Sequence, residues 1–261
     1  LKDILQEAEN IQAVLNVSQP GQEGGSAVAD ILFGRAVPEG KLTATWARRY
    51  KDYPCSDTYS HLNGNLEKEE YREGIYTGYR YFDSFGINPL YSFGYGLSYT
   101  TFGLKFCGME TEKGAVRVRV MVTNTGKCFS GREVVQVYIS LPQGKIEKES
   151  RRLAGFIKTK RLDPGESREV TIKIRQKQLA VYYEERQEWV VEAGMYGIWV
   201  GNSIDSALLS AYLTVPQEVV MEKTHRICPR KDYFEELCKN SFENRAGRND
   251  EEKEEISEYI F

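Results

Sequence analysis

Glu23, Glu70, Glu73 and Asp83 are the acids that stand outside obvious surface strands, and they are the residues whose chemistry has to be weighed first. Hydrolysis of a glycosidic bond by the retaining route needs two carboxylates about 5–5.5 Å apart, a nucleophile and an acid/base. Nothing in the spacing pairs any two of these four. Each also reads as a solvated loop acid or as a partner for Arg72 or Arg80. The stretch GQEGG (Gly21–Gly25) falls where a phosphate-binding turn would, between an apolar run and a helical one. It lacks the Lys-Ser/Thr of a P-loop and the G-x-G-x-x-G of a dinucleotide fold, so it reads as a tight βα turn whose glycines admit a close neighbour. His61 and His225 are the only histidines, and neither has a second ligand at metal spacing, which argues against a metal site. There is no G-x-S-x-G elbow, and both histidines lie in polar or linker-like sequence, which argues against a nucleophile–histidine pair. Asn16-Val17-Ser18 matches a glycosylation sequon but sits in a run expected to be buried. No catalytic, metal-binding or cofactor-binding residue is assigned, and no cofactor is implied.

The elements that would position these groups change character along the chain. IQAVLNVS (Ile11–Ser18) is a β-branched, apolar run expected to form a buried parallel-type strand. PGQEGG turns it into SAVADILFG, where Ser26 can cap a helix, Val28, Ile31 and Leu32 share a face, and Gly34 stops it. One βα unit cannot cover both faces of a sheet, so its other strands are expected elsewhere. VPEGKLTATWA follows as a turn and a short alternating stretch, and Arg48–Glu70 reads as a polar loop.

Residues 71–102, YREGIYTGYRYFDSFGINPLYSFGYGLSYTTF, are dense in Tyr and Phe although the chain is only 12% aromatic. Gly74, Gly78, Gly86, Gly94 and Gly96 break the stretch too often for a helix, so it reads as a long connection held down by its own rings. From Gly103 the pattern has period two. Val116, Val118, Val120 and Val122 alternate with Arg117, Arg119, Met121 and Thr123, and EVVQVYISL, REVTIKI, WVVEAGMYGIWVGNS and ALLSAYLTV repeat the theme. Pro164-Gly165 suits the centre of a type II turn. About seven short strands with turns between them indicate an immunoglobulin-like or fibronectin-like β-sandwich. Beyond it, RKDYFEELCKN places Tyr233, Phe234, Leu237 and Cys238 on one helical face, and NDEEKEEISEYIF is a charged run. The fold class is therefore mainly β: a fibronectin type III-like sandwich preceded by a partial α/β unit and followed by a helical tail. The units are 1–50 (α/β remnant), 51–102 (aromatic interdomain segment), 103–215 (sandwich) and 216–261 (helical linker).

A net charge of −3 with no Lys/Arg run argues against a nucleic-acid partner. No stretch reaches the roughly 20 apolar residues of a membrane span, and no signal segment opens the chain. Leu1 in place of Met makes the sequence look cut from something longer. Five scattered cysteines without a C-x-x-C pair read as reduced thiols of a cytoplasmic protein, with a Cys107–Cys128 bridge as the competing reading.

QPGQEGGSAVADILFGRAVPEGKLTATW, then the aromatic stretch, then VTNTGKCFSGREVVQVYI, LAGFIKTKRLDPGES and YGIWVGNS resemble the C-terminal region of family 3 glycoside hydrolases of the β-glucosidase type, over about residues 10–215. The resemblance implies retaining hydrolysis of β-linked sugars by a parent enzyme. Its nucleophile would be an Asp of a barrel domain and its acid/base a Glu upstream in the α/β domain, so no catalytic residue carries over to this chain. Glu23 would belong to the family's Gly-rich turn, and Glu73, Tyr79, Arg80 and Asp83 to its interdomain segment, in structural roles. The implied partners are the barrel and α/β domains of the same parent, with a β-glucoside substrate met only through them. VVMEKTHRICPRKDYFEEL is similar to the linker of permuted members, in which the barrel follows the sandwich. The competing readings are a carbohydrate-binding module using rings such as Tyr182, Tyr183 or Trp199, and a domain-docking module.

Overall fold

The computed structural model describes residues 10–144, 146–228, 235–239 and 257–260. Strands β1 (Phe102–Glu112), β2 (Ala115–Asn124) and β5 (Ser167–Arg175) form one antiparallel sheet in the order β1-β2-β5. The facing sheet has the order β11-β9-β8-β3-β4 and contains β3 (Val134–Ser140), β4 (Arg152–Lys158), β8 (Gly194–Gly201), β9 (Leu208–Val215) and β11 (Ser257–Ile260). Within it only β11 runs parallel, against β9. A small third sheet joins β6 (Val181–Tyr183), β7 (Glu188–Val191) and β10 (Val219–Lys223) in the order β10-β7-β6.

The alternation read in β2 is the core of the sandwich. Val116, Val118, Val120 and Val122 are buried beside Val135, Val137 and Ile139 of β3, Ile172 and Ile174 of β5, and Ile198 of β8. Arg117 of β2 faces water while Arg119, Met121 and Thr123 are half-buried. The Pro164-Gly165 turn is type II, with Gly165 at φ +81°. The Glu166 N–H donates to the Asp163 carbonyl at 2.8 Å across that turn. β3 differs from β2 in being buried on both faces. Its second face, Gln136 and Tyr138, lies under the aromatic segment.

That segment is not uniformly irregular. α1 spans Gly24–Leu32, and α2 spans Tyr79–Phe85 inside the stretch where the glycines were expected to forbid a helix. The glycines instead end it on both sides, Gly78 at φ +60° as N-cap and Gly86 at φ +64° as a left-handed C-cap. Residues 42–46 run antiparallel to 91–95, with Trp46 and Leu42 N–H groups donating to the Tyr91 and Tyr95 carbonyls, both at 2.8 Å. Gly94 touches the sandwich so closely that a Cβ there would stand 2.9 Å from the Ser203 Cα.

Three further expectations change. Ile11–Ser18 forms no strand, and Ile11, Val14, Leu15 and Val17 are exposed, because no described residue pairs with this segment. Ser26 does not cap α1; Glu23 occupies the N-cap position, and the Ser26 hydroxyl donates to its carboxylate at 3.1 Å. Gly34, at φ +70°, does follow the helix end as expected. The tail read as helical over 216–261 contains two strands, β10 and β11, and 235–238 has no regular structure. In β10 the β-branched Val219 and Val220 pair with Val191 and Val190, so sheet pairing wins over helical spacing. Tyr233, Phe234 and most of the charged run lie outside the described residues. No disulfide joins Cys107 to Cys128 or any other pair of cysteines.

Candidate functional site

α2 is short, and its two sides do different work. Tyr81 and Phe82 are buried with Tyr76 in a cluster completed by Ala47, Phe85, Ile87 and Leu237. Tyr79, Arg80, Asp83 and Ser84, spaced as neighbours on one helical face, turn to the chain between β3 and β4. The Tyr79 ring stacks on Phe93 with centroids 4.8 Å apart and meets Tyr138 edge-on at 6.0 Å. Its hydroxyl accepts the Leu153 N–H at 2.8 Å. The Ser84 hydroxyl accepts the Ser150 N–H at 2.9 Å.

Two charged pairs complete this clamp. Arg151 forms a forked pair with Asp83, its Nε 3.1 Å from Oδ2 and its Nη2 on Oδ1. Its guanidinium also lies 4.9 Å over the Trp199 ring. The Asp83 and Arg151 side chains are only 4% and 11% exposed, so the pair is largely withdrawn from water. Arg80 stands 3.8 Å from the Glu149 carboxylate, which Arg152 also grips at 2.6 and 3.1 Å. Burial works to raise the Glu149 carboxyl, yet the hydrogen bonds and charge of Arg152, helped by Arg80, hold it below its usual value. Beside them Glu147 accepts the Tyr76 hydroxyl at 2.6 Å, and burial together with that carboxylate pushes the Tyr76 phenol up.

The structure therefore gathers Tyr79, Arg80 and Asp83 and leaves Glu23 and Glu73 elsewhere. Glu23 is exposed on α1. Glu73 is half-buried, its carboxyl raised by desolvation. Glu70 pairs with Arg72 and Lys68. Among the described residues no two of the four candidate acids meet on a shared partner. Sequence reasoning missed Glu147, Glu149, Ser150, Arg151 and Arg152, whose only signal was the dense charge of EKESRR between two strands. It also missed Asn124, fully buried, whose amide donates to the Phe129 and Leu162 carbonyls and accepts from Thr100 and Gly126.

The rings proposed for sugar stacking are occupied. Trp199 carries Arg151 on its ring, Tyr183 carries Arg186 at 5.2 Å, and Tyr182 packs at an angle on Trp189. A cavity of about 480 Å³ at the ends of β1 and β9 and the start of β10 is lined by Glu112, Lys113, Gln176 and Val215 among others, with no aromatic ring. No group of three or more His, Cys, Asp or Glu among the described residues could hold a metal ion. No helix among them is long and apolar enough to cross a membrane.

Fold and clamp together define a β-sandwich domain onto which an aromatic, charged segment carrying α2 is pinned. Residues 2–99 match the glycosyl hydrolase family 3 C-terminal domain, and residues 133–204 match a fibronectin type III-like domain. The chain thus belongs to glycosyl hydrolase family 3, as the region holding that C-terminal domain and the sandwich after it. It is 38% identical over 240 residues to beta-glucosidase A of Butyrivibrio fibrisolvens, covering 82% of this chain and 28% of that protein. It is 38% identical over 201 residues to a beta-glucosidase of Kluyveromyces marxianus, covering 77% of this chain and 23% of that one. In structure it is similar to beta-glucosidase 3B of Thermotoga neapolitana solved with α-D-glucose, with a TM-score of 0.73 at 44% identity over 78% of this chain and 28% of that chain. The chain spans under a third of the length of these relatives.

Proposed function

We propose that this chain is the non-catalytic structural portion of a retaining β-glycosidase of the β-glucosidase type, which hydrolyses O-glycosidic bonds in carbohydrate metabolism. In this reading residues 1–50 belong to the α/β domain, 51–102 connect it to the sandwich, 103–215 buttress the catalytic domains, and 216–261 are a linker. The barrel and the rest of the α/β domain of the same parent are its partners, and a β-glucoside is met only through them. The carrying observation is the engagement of the acids. Asp83 is locked on Arg151, Glu70 is paired with Arg72, and Glu23 accepts the Ser26 hydroxyl, so three of the four candidate acids are already engaged rather than held ready as the two carboxylates that hydrolysis needs. The unpaired apolar run at Ile11–Val17, with Leu32 and Phe33 exposed on α1, supports a sheet completed by residues from elsewhere.

The test is to assay the purified chain, its fold checked by circular dichroism, against an aryl β-glucoside beside a full-length family enzyme. No turnover by the folded chain is expected. Turnover that follows the protein through purification would overturn the reading and make Glu23, Glu73 and Asp83 the first positions to replace.

A further inference from the structure

After leaving the sandwich the chain comes back to the clamp. The Leu237 N–H donates to the Arg72 carbonyl at 2.7 Å, and its side chain joins the Tyr76, Tyr81 and Phe82 cluster. The Lys239 N–H donates to Glu147 Oε1, the oxygen that also accepts the Tyr76 hydroxyl, and Lys239 Nζ reaches Ser150 Oγ at 3.4 Å. Gly74, at φ +56°, lies so close beneath that a Cβ there would stand 2.9 Å from Glu236 Oε2. Burial lowers the Lys239 ammonium below its usual value, in keeping with a seat largely out of water.

We infer that residues 235–239 are an intramolecular strap, seated in a groove made by Arg72, Gly74, Tyr76, Glu147 and Ser150, that locks the aromatic connector onto the sandwich. Main-chain donors make two of the anchors, and the Leu237 side chain fills the apolar end. Glu147 is the hinge of the device, because one carboxylate oxygen serves both the connector, through Tyr76, and the strap, through Lys239. Loosening either side therefore weakens the hold of the other. Lys239, the last residue of the strap, thereby lies beside Ser150, which the clamp also holds through Ser84 of α2. This stands apart from the assignment of a parent activity.

Thiol accessibility in the full 261-residue chain tests it, since Cys238 lies within the strap and Cys228 is exposed before it. Maleimide labelling of each thiol is followed by mass spectrometry and divided by its rate in the urea-unfolded chain. The strap predicts that Cys238 is slowed about tenfold or more, equivalent to an opening cost of about 1.4 kcal/mol, while Cys228 is slowed less than about twofold. In Leu237→Asp and Glu147→Ala the Cys238 rate is expected to rise toward that of Cys228, with Cys107 in β1 unchanged. If Cys238 in the unmodified chain labels as fast as in urea, the strap does not exist. Full protection surviving Glu147→Ala would overturn the role given to that carboxylate.

Discussion

Replacing Asp83 with alanine tests the clamp at its most buried point. The substitution removes a carboxylate that is 4% exposed and leaves Arg151, 11% exposed, with the Ala207 carbonyl at 3.4 Å and the Trp199 ring as partners. Breaking a buried pair from one side costs about 3–5 kcal/mol, chiefly because the surviving charge stays out of water. The ring and carbonyl left to Arg151 place the expected loss at the lower end, about 3 kcal/mol. At about 2–4 °C per kcal/mol for a domain near this size, the melting temperature should fall by roughly 6–12 °C. Asp83→Asn keeps the shape and one acceptor and should lose less. Asp83→Ala with Arg151→Met removes both charges and should recover most of the loss.

Urea unfolding followed by tryptophan fluorescence reads the global cost, and Trp199 reports directly on the guanidinium over its ring. Hydrogen exchange at residues 78–86 shows whether α2 undocks before the sandwich melts. If Asp83→Ala stays within about 0.5 kcal/mol of the parent, the size of an ordinary surface substitution, and 78–86 keep their protection, the rings alone hold α2 and the electrostatic reasoning is refuted.

Asn124→Ala orphans the Phe129 carbonyl and the Thr100 and Gly126 donors, while the Leu162 carbonyl keeps the Gly131 N–H at 3.1 Å, and at about 1–3 kcal/mol per buried orphan it should cost about 3 kcal/mol or more in urea unfolding. Glu149 gives a pH signature. Its carboxyl titrates in the folded chain below its ordinary 4.5, so its ionised form stabilises the fold above that value, and the contribution drains away as pH falls through the lowered one. Urea midpoints of the parent and Glu149→Gln should therefore differ near neutrality and converge in acid; parallel curves down to about pH 3 would show that the Arg152 and Arg80 contacts contribute nothing.

The sandwich was legible because its signal is local. Valines at every second position of β2 state which face is buried, whatever pairs with it, and Asp163-Pro164-Gly165 states its turn. α2 was misread because glycines were counted as interruptions, when at Gly78 and Gly86 they are the two ends. Ile11–Ser18 has the composition of a strand, but a strand is a relation between segments, and the described residues supply no neighbour. The clamp was half legible. Arg80 and Asp83 could be named, whereas Glu149 and Arg151 lie some 70 residues on in a run that looks like any charged loop. Period and turn chemistry do not encode which distant charge answers which.

The division of labour in the connector follows from what each interaction can specify. Rings such as Tyr76, Phe82 and Phe85 cover area and exclude water, but apolar packing is nearly indifferent to a small slide or rotation. A connector held by rings alone could settle at several angles. A forked carboxylate–guanidinium pair and main-chain donors aimed at single oxygens tolerate far less displacement. On α2 these directional contacts fall on one face, Tyr79, Arg80, Asp83 and Ser84, and their partners fall within 149–153 at the entry to β4. A slide of α2 by one residue would turn Asp83 away from Arg151 and strand both charges at once, a penalty that the ring cluster on the other face could not offset. The rings hold the connector down, and the charges decide where.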